Sequence, residues 1–162
     1  MKTLLVLRHA KSSWSNDFLS DHQRPLNDRG KQDAPRMGRL LRDEGLTPDL
    51  IITSSAERAL STAELVALNC DYDNEIAVTR QFYLADPEDY LEVLADVDDA
   101  YSRVMVVGHN PGMEELVADL TGESVHLATA ALAHIQFNIE RWRDLTPETV
   151  GKLQSFWLPK EL

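Results

Sequence analysis

Two histidines and two arginines stand where an α/β chain places its chemistry. The apolar run Thr3 to Leu7 ends in Arg8-His9. A second run, Asp49 to Thr53, passes through Ser54-Ser55 into a helical stretch whose first turn carries Arg58. The β-branched run Arg103 to Val107 stops at Gly108-His109. Ligand-binding groups of open α/β sheets gather beyond the carboxyl ends of the strands. A parallel arrangement therefore brings Arg8, His9, Arg58 and His109 to one rim. Arginine forks match the oxygens of a phosphate bidentately, and a helix start after His109 adds backbone N–H groups and a positive dipole end. A neutral imidazole beside such a cluster can attack phosphorus and split one difficult transfer into two. The other imidazole can hydrogen-bond the phosphoryl oxygens. The chemistry these residue types predict is phosphoryl transfer without a metal, arginine supplying the charge stabilisation.

Taken singly, each feature has a plainer explanation. A histidine after a strand can be structural, Arg58 can be a surface residue, and Gly108-His109-Asn110-Pro111-Gly112 can be a turn and helix cap. It is the conjunction that points to a site. No HxH, HExxH or Cys/His set completes a zinc centre, and no GxGxxG follows the first strand as a dinucleotide module requires.

The elements that must hold these residues are legible as alternating strands and helices. Thr3 to Leu7 reads as a buried strand. After a polar stretch, Asn27 or Asp28 caps a helix to about Glu44, with Pro35 a potential kink. A strand over Asp49 to Thr53 precedes a helix capped by Ser54 or Ser55 and running to about Leu68. A weaker strand spans Glu75 to Thr79, and Pro87 opens a helix to about Val97. The strand Arg103 to Val107 leads to a helix with Asn110 as N-cap and Pro111 at its first position. Two extended segments, Leu132 to Ile139 and Leu153 to Leu158, complete the chain. The expected fold class is α/β, a three-layer αβα sandwich with a mainly parallel central sheet and one antiparallel strand.

The chain has 162 residues, 43% hydrophobic, and one cysteine, which fits a single domain over residues 1–162 and excludes an internal disulfide. No apolar run approaches a membrane span or a signal-peptide core, so a cytoplasmic protein is expected. The net charge of −11 argues against a nucleic-acid or anionic-membrane partner. That charge is uneven: residues 1–62 hold ten Lys or Arg against eight Asp or Glu, and residues 63–162 hold six against nineteen.

Four segments carry a family resemblance. Leu7-Arg8-His9-Ala10-Lys11-Ser12 resembles the RHG signature of the histidine phosphatase (phosphoglycerate-mutase-like) superfamily. Ser54 to Ala59 with Thr62-Ala63 resembles its second arginine motif. Val107 to Gly112 resembles its second histidine motif in the form of the small SixA-type phosphohistidine phosphatases. Asp21-His22-Gln23-Arg24-Pro25-Leu26 looks like the D-x-x-R-P-L segment of that branch. The match runs in order from residue 3 to about 120. It implies a phosphoglycerate-mutase-like fold, with His9 as the nucleophile that becomes phosphorylated. Arg8, Arg58 and His109 would hold the phosphoryl group, and Arg24 would be a third arginine of the pocket. No cofactor and no metal are implied. Ala10 stands where the family usually has glycine, and Lys11 where mutase-like members often have an acid.

Mutase-like members place a general acid after the third strand. Here Phe82-Tyr83-Leu84-Ala85-Asp86-Pro87 has none at Ala85, and Asp86 reads as the N-cap before Pro87. One helix nearly fills the span Thr79 to Arg103, leaving no room for a cap domain over the pocket. Both features favour phosphohistidine on a signalling or phosphotransfer protein, recognised by a monomer. A small phosphomonoesterase, or a non-catalytic phosphate-dependent binding protein, are the competing readings, and Asp86 as acid belongs to the former. Trp14 and Phe18 either rim the pocket or, the preferred reading, pack within their loop; His22 is expected to be exposed, His126 and His134 to be structural, and Trp142 and Trp157 to pack the C-terminal elements.

Overall fold

Alternation along the first strand sets up the layers. Successive side chains of a strand point to opposite faces, and Leu4 and Val6 enter one hydrophobic core while Leu5 and Leu7 enter another. Both sets are fully buried. In the computed structural model, which describes all 162 residues, ten regular elements follow. They are β1 (Lys2–Arg8), α1 (Asp28–Asp43), β2 (Leu50–Ser54), α2 (Glu57–Asn69), β3 (Ile76–Thr79), α3 (Pro87–Ala95), β4 (Arg103–Gly108), α4 (Gly112–Thr121), β5 (Leu132–Phe137) and β6 (Lys152–Trp157).

The strands form one six-stranded sheet in the order β3-β2-β4-β1-β5-β6. β1 is parallel to β4, with Val6 beside Val106 and Arg8 beside Gly108. β2 is parallel to both β4 and β3. β5 is antiparallel to β1 and to β6, so it alone runs against the other five, as expected. α1 and α2 cover one face through Met37, Leu41, Ala59, Ala63 and Val66. α3 and α4 cover the other through Tyr90, Leu94, Leu116 and Val117, with Trp142 buried beside them. The result is the αβα sandwich. Between β3 and β4 lie a short 3₁₀ turn, α3 and a loop, with no helical cap. No helix is long and apolar enough to cross a membrane.

Two local expectations are corrected. Asn110 does not cap α4; Pro111 holds that position and the helix begins at Gly112. The Asn110 amide is spent elsewhere, its Nδ2 donating to the Leu127 carbonyl at 2.7 Å. Neither Ser54 nor Ser55 caps α2, whose N-cap is Ala56; the Ser54 hydroxyl accepts from the Ala56 N–H while facing His109. Pro35 lies within α1, which continues through it to Asp43. Asp86, by contrast, is the N-cap of α3, and its N–H donates to the Asp89 carboxylate at 2.9 Å.

What this topology does for function is specific. β1 and β4 are neighbours, yet the chain leaves β1 toward α1 on one face and β4 toward α4 on the other. A crevice at the carboxyl ends of two such strands is where open α/β sheets bind ligands.

Candidate active site

A cavity of about 280 Å³ opens at that crevice, and Arg8, His9, Arg24, Arg58 and His109 all line it. Lys11 and Ser12 from the loop after β1 contribute to the wall, as do Trp14, Leu84, Asn110 and Thr129. None of the lining side chains is a carboxylate. His, Cys, Asp and Glu nowhere gather in threes that could hold a metal ion.

His9 leaves the end of β1 with its N–H donating to the Gly108 carbonyl at 3.0 Å. Its ring is 5.1 Å from that of His109, centroid to centroid. The His9 Nδ1 lies 2.7 Å from the Ala10 carbonyl oxygen. A carbonyl only accepts, so Nδ1 carries the proton and the neutral ring keeps its lone pair on Nε2. Burial pushes the His9 pKa down to about 4; the Ala10 bond opposes this, and the charges of Arg58, Arg8 and Arg24 add to it. At neutral pH the ring is therefore uncharged. Ala10 does not adopt a positive φ, so its methyl is accommodated. Its N–H donates to Thr62 Oγ1 at 3.0 Å, and the Thr62 hydroxyl donates to the Arg58 carbonyl at 2.7 Å. One threonine thus ties the backbone after His9 to the turn of α2 that carries Arg58.

The three arginines are held unequally. Arg8 gives Nη1 to the Leu127 carbonyl at 3.1 Å, and its Nε is buried with no protein acceptor. Burial lowers its pKa, with Glu114 opposing. Arg58, 3% exposed, donates Nη1 to the Asp21 carbonyl at 2.7 Å and Nη2 to its carboxylate at 3.1 Å. Its Nε too is buried and unpaired. Arg24 donates Nε to Asp21 Oδ1 at 3.1 Å and Nη1 to Ser12 Oγ at 2.6 Å. Three guanidiniums lining one cleft match the acceptor-rich surface of a phosphoryl group.

Asp21 and Tyr83 join this network without having been assigned to it from sequence. The Tyr83 hydroxyl donates to Asp21 Oδ2 at 2.6 Å. Partial burial pushes the Asp21 pKa up, but the Tyr83 hydrogen bond and the two guanidiniums outweigh it and hold the value at about 2. Asp21 is a fixed carboxylate that orients two arginines. The only signal was its place three residues before Arg24 in the D-x-x-R-P-L segment; Tyr83, 62 residues away, carried none.

His109 is 2% exposed. Its Nδ1 lies 3.5 Å from Arg58 Nη2 and its Nε2 lies 2.8 Å from Ser54 Oγ. Arginine only donates, so Nδ1 accepts here, and Nε2–H donates to the serine. Burial, then the nearby charges of His9 and Arg58, push its pKa down to about 3. Its N–H donates to the Tyr90 hydroxyl oxygen at 3.3 Å, and a side chain at Gly108 would collide with that same hydroxyl.

Two surface expectations are corrected as well. His22 is half-buried: its Nε2 meets Ser55 Oγ at 2.9 Å and its ring stands edge-on to Tyr83. Trp14 does not pack inside its loop; it is 74% exposed and lines the cleft. Phe18 is open to solvent, away from the cavity lining.

The model of the histidine phosphatase superfamily (branch 1) matches residues 4–82. An uncharacterized chloroplastic protein of Arabidopsis thaliana is 32% identical over 152 residues, covering 88% of this chain and 70% of that one. A 2,3-bisphosphoglycerate-dependent phosphoglycerate mutase of Streptomyces avermitilis is 41% identical over 70 residues, 42% of this chain and 28% of the mutase. Among solved structures, a phosphohistidine phosphatase SixA candidate from Agrobacterium tumefaciens superposes with a TM-score of 0.83 at 28% identity over 98% of both chains. With its cleft at the β1–β4 switch point, the family model over residues 4–82 and the SixA-candidate structure matched over 98% of both chains, the chain belongs to the histidine phosphatase superfamily, within its SixA-type branch, and is a hydrolase of phosphoryl groups.

Proposed function

We propose that the protein dephosphorylates phosphohistidine on a signalling or phosphotransfer protein, through a phosphohistidine formed on His9. The observation that carries this is the Nδ1–H bond to the Ala10 carbonyl, which leaves His9 Nε2 unprotonated among three arginines. In the first step Nε2 bonds to phosphorus and the substrate's P–N bond breaks, its electron pair going to the leaving imidazole. Arg8, Arg24 and Arg58 balance the charge on the transferring oxygens. His109 keeps its Nε2–H on Ser54 and accepts from Arg58 Nη2 through Nδ1, which holds that guanidinium beside the transferring phosphoryl group. In the second step water attacks phosphorus, releasing inorganic phosphate and restoring neutral His9.

The leaving group follows from what the cleft lacks. Asp86 is engaged as the N-cap of α3 and is not part of the lining, and Asp21 is ionised between arginines. No side chain there is suited to protonate a poor alkoxide, whereas an imidazole already protonated on its far nitrogen departs neutral. The uncapped mouth suits a residue presented on a protein surface. The same reading takes residues 1–162 as one histidine phosphatase domain, since β1 and β6, from opposite ends of the chain, share one sheet. It takes the protein as a cytoplasmic monomer needing no cofactor and engaging neither nucleic acid nor membrane, in keeping with the charge of −11.

The test compares wild type with His9→Ala on a phosphohistidine-bearing domain and on simple phosphomonoesters. Turnover of the former with an acid-labile phosphoenzyme, both lost in the variant, is expected. Turnover retained by His9→Ala overturns the mechanism. Efficient hydrolysis of esters with none of phosphohistidine overturns the substrate assignment in favour of a small phosphomonoesterase.

A further inference from the structure

Trp14 is anomalous for its size and place. Tryptophan offers a large apolar face with a polar edge, the combination that binding surfaces favour, and Trp14, 74% exposed, sits in the wall of the cleft that holds His9. It is also held firmly. The Arg24 guanidinium carbon lies 3.4 Å from its ring centroid, and Arg24 is buried and bonded to Asp21 and Ser12. The segment itself is fastened, Ser13 N donating to the Pro25 carbonyl at 2.8 Å and Asn27 N to the Lys11 carbonyl at 3.0 Å. One face of the indole is thus covered by a fixed cation, and the other is a flat apolar surface open at the mouth of the cleft.

We infer that Trp14 is the specificity-determining residue for the leaving group, its open face stacking the substrate imidazole. The inference rests on the phosphohistidine reading above and names the part of the site that selects the ring. The exchange it describes is balanced. The substrate enters as a protonated phosphoimidazole; the P–N electron pair returns to its ring, which leaves as neutral imidazole still carrying its N–H. His9 Nε2 gains the P–N bond and becomes the protonated phosphoimidazole, its Nδ1–H on the Ala10 carbonyl. No proton need be delivered during the transfer.

The test uses two P–N compounds that differ in the ring: phosphoimidazole, and phosphoramidate, which has none. Trp14→Ala is expected to lower kcat/KM on phosphoimidazole about tenfold, the size of a stacking contact, chiefly through KM, and to change phosphoramidate less than twofold. Trp14→Phe should restore most of the loss, and Phe18→Ala, in the same loop but outside the cleft, should alter neither. Equal losses on both compounds overturn the inference, because they assign Trp14 only to holding Arg24; so does an unchanged Trp14→Ala. Since Trp14 is exposed, an unfolding midpoint equal to wild type accompanies the expected result. Wild type inert on both P–N compounds overturns the phosphohistidine reading itself, and the stacking role with it.

Discussion

On the proposed mechanism, the imidazoles of His9 and His109 share one environment that serves catalysis at some cost to stability. A nucleophile must be neutral, and burial beside guanidiniums lowers the two pKa values to about 4 and about 3, from an ordinary 6.5. The acid limb of kcat/KM should therefore lie near pH 4 rather than 6.5, as a pH–rate profile on an acid-stable substrate can check. The sign for stability is opposite to that of a salt-bridged histidine. Above pH 6.5 both rings are neutral folded and unfolded, and nothing is lost. Between 6.5 and 4 the unfolded chain binds protons that the folded one refuses, so stability falls with falling pH, by about 2–3 kcal/mol for His9 alone at pH 4.5. Urea unfolding at pH 7 and pH 4.5 measures this; equal stabilities would contradict neutral burial. Asp21 acts through the arginines it orients. Asp21→Asn should lower kcat/KM about tenfold with the acid limb near pH 4 unmoved, since a charge-assisted bond is worth roughly 1.5–3 kcal/mol and its neutral replacement about half as much.

The joints between elements are single side chains. Thr62 bonds both the Ala10 N–H at the end of β1 and the Arg58 carbonyl in α2, and all of this is buried. Thr62→Val keeps the shape but orphans a buried donor, a cost of about 1–3 kcal/mol. A fall of that size in denaturant midpoint, together with a loss of kcat, is expected; a change in stability without one in kcat would reduce Thr62 to a structural role. At the start of α4, a methyl group on Gly112 would run into the Ala85 carbonyl. That carbonyl belongs to the backbone entering α3, so it cannot rotate away. Gly112→Ala should shift α4 against α3 and destabilise the protein by more than Thr62→Val, a ranking that thermal denaturation of the two variants decides.

For the molecule as a whole, charge is a matter of distribution. The net value is −11, yet Arg8, Lys11, Arg24 and Arg58 converge on one cleft without a lining carboxylate. Seven carboxylates and no Lys or Arg lie between Asp86 and Ser102. A local positive potential within a negative field attracts a small anion and repels a polyanion. Inorganic phosphate at millimolar concentration should raise the melting temperature of wild type more than that of Arg58→Ala, while a DNA duplex should show no gel shift at micromolar protein.

Much of this site could be read from one dimension. Arg8, His9 and His109 close apolar runs whose period and β-branching mark strands, and strand ends are where α/β folds keep their ligands. Arg58 lies in the first helical turn after another such run, and Arg24 was reached through its motif. These signals are local, because side-chain periodicity and turn chemistry act over a few neighbouring residues. The tie of Tyr83 to Asp21, the Thr62 joint and the release of Asn110 from capping were not legible, and the choice between packing and pocket rim for Trp14 was left open. Each depends on which segments meet, and that follows from the sheet order β3-β2-β4-β1-β5-β6. By inserting β4 between β1 and β2, the fold sets His109 against His9 on one side and Ser54 on the other, contacts more than 50 residues apart that arise only when two cores close on opposite faces of one sheet.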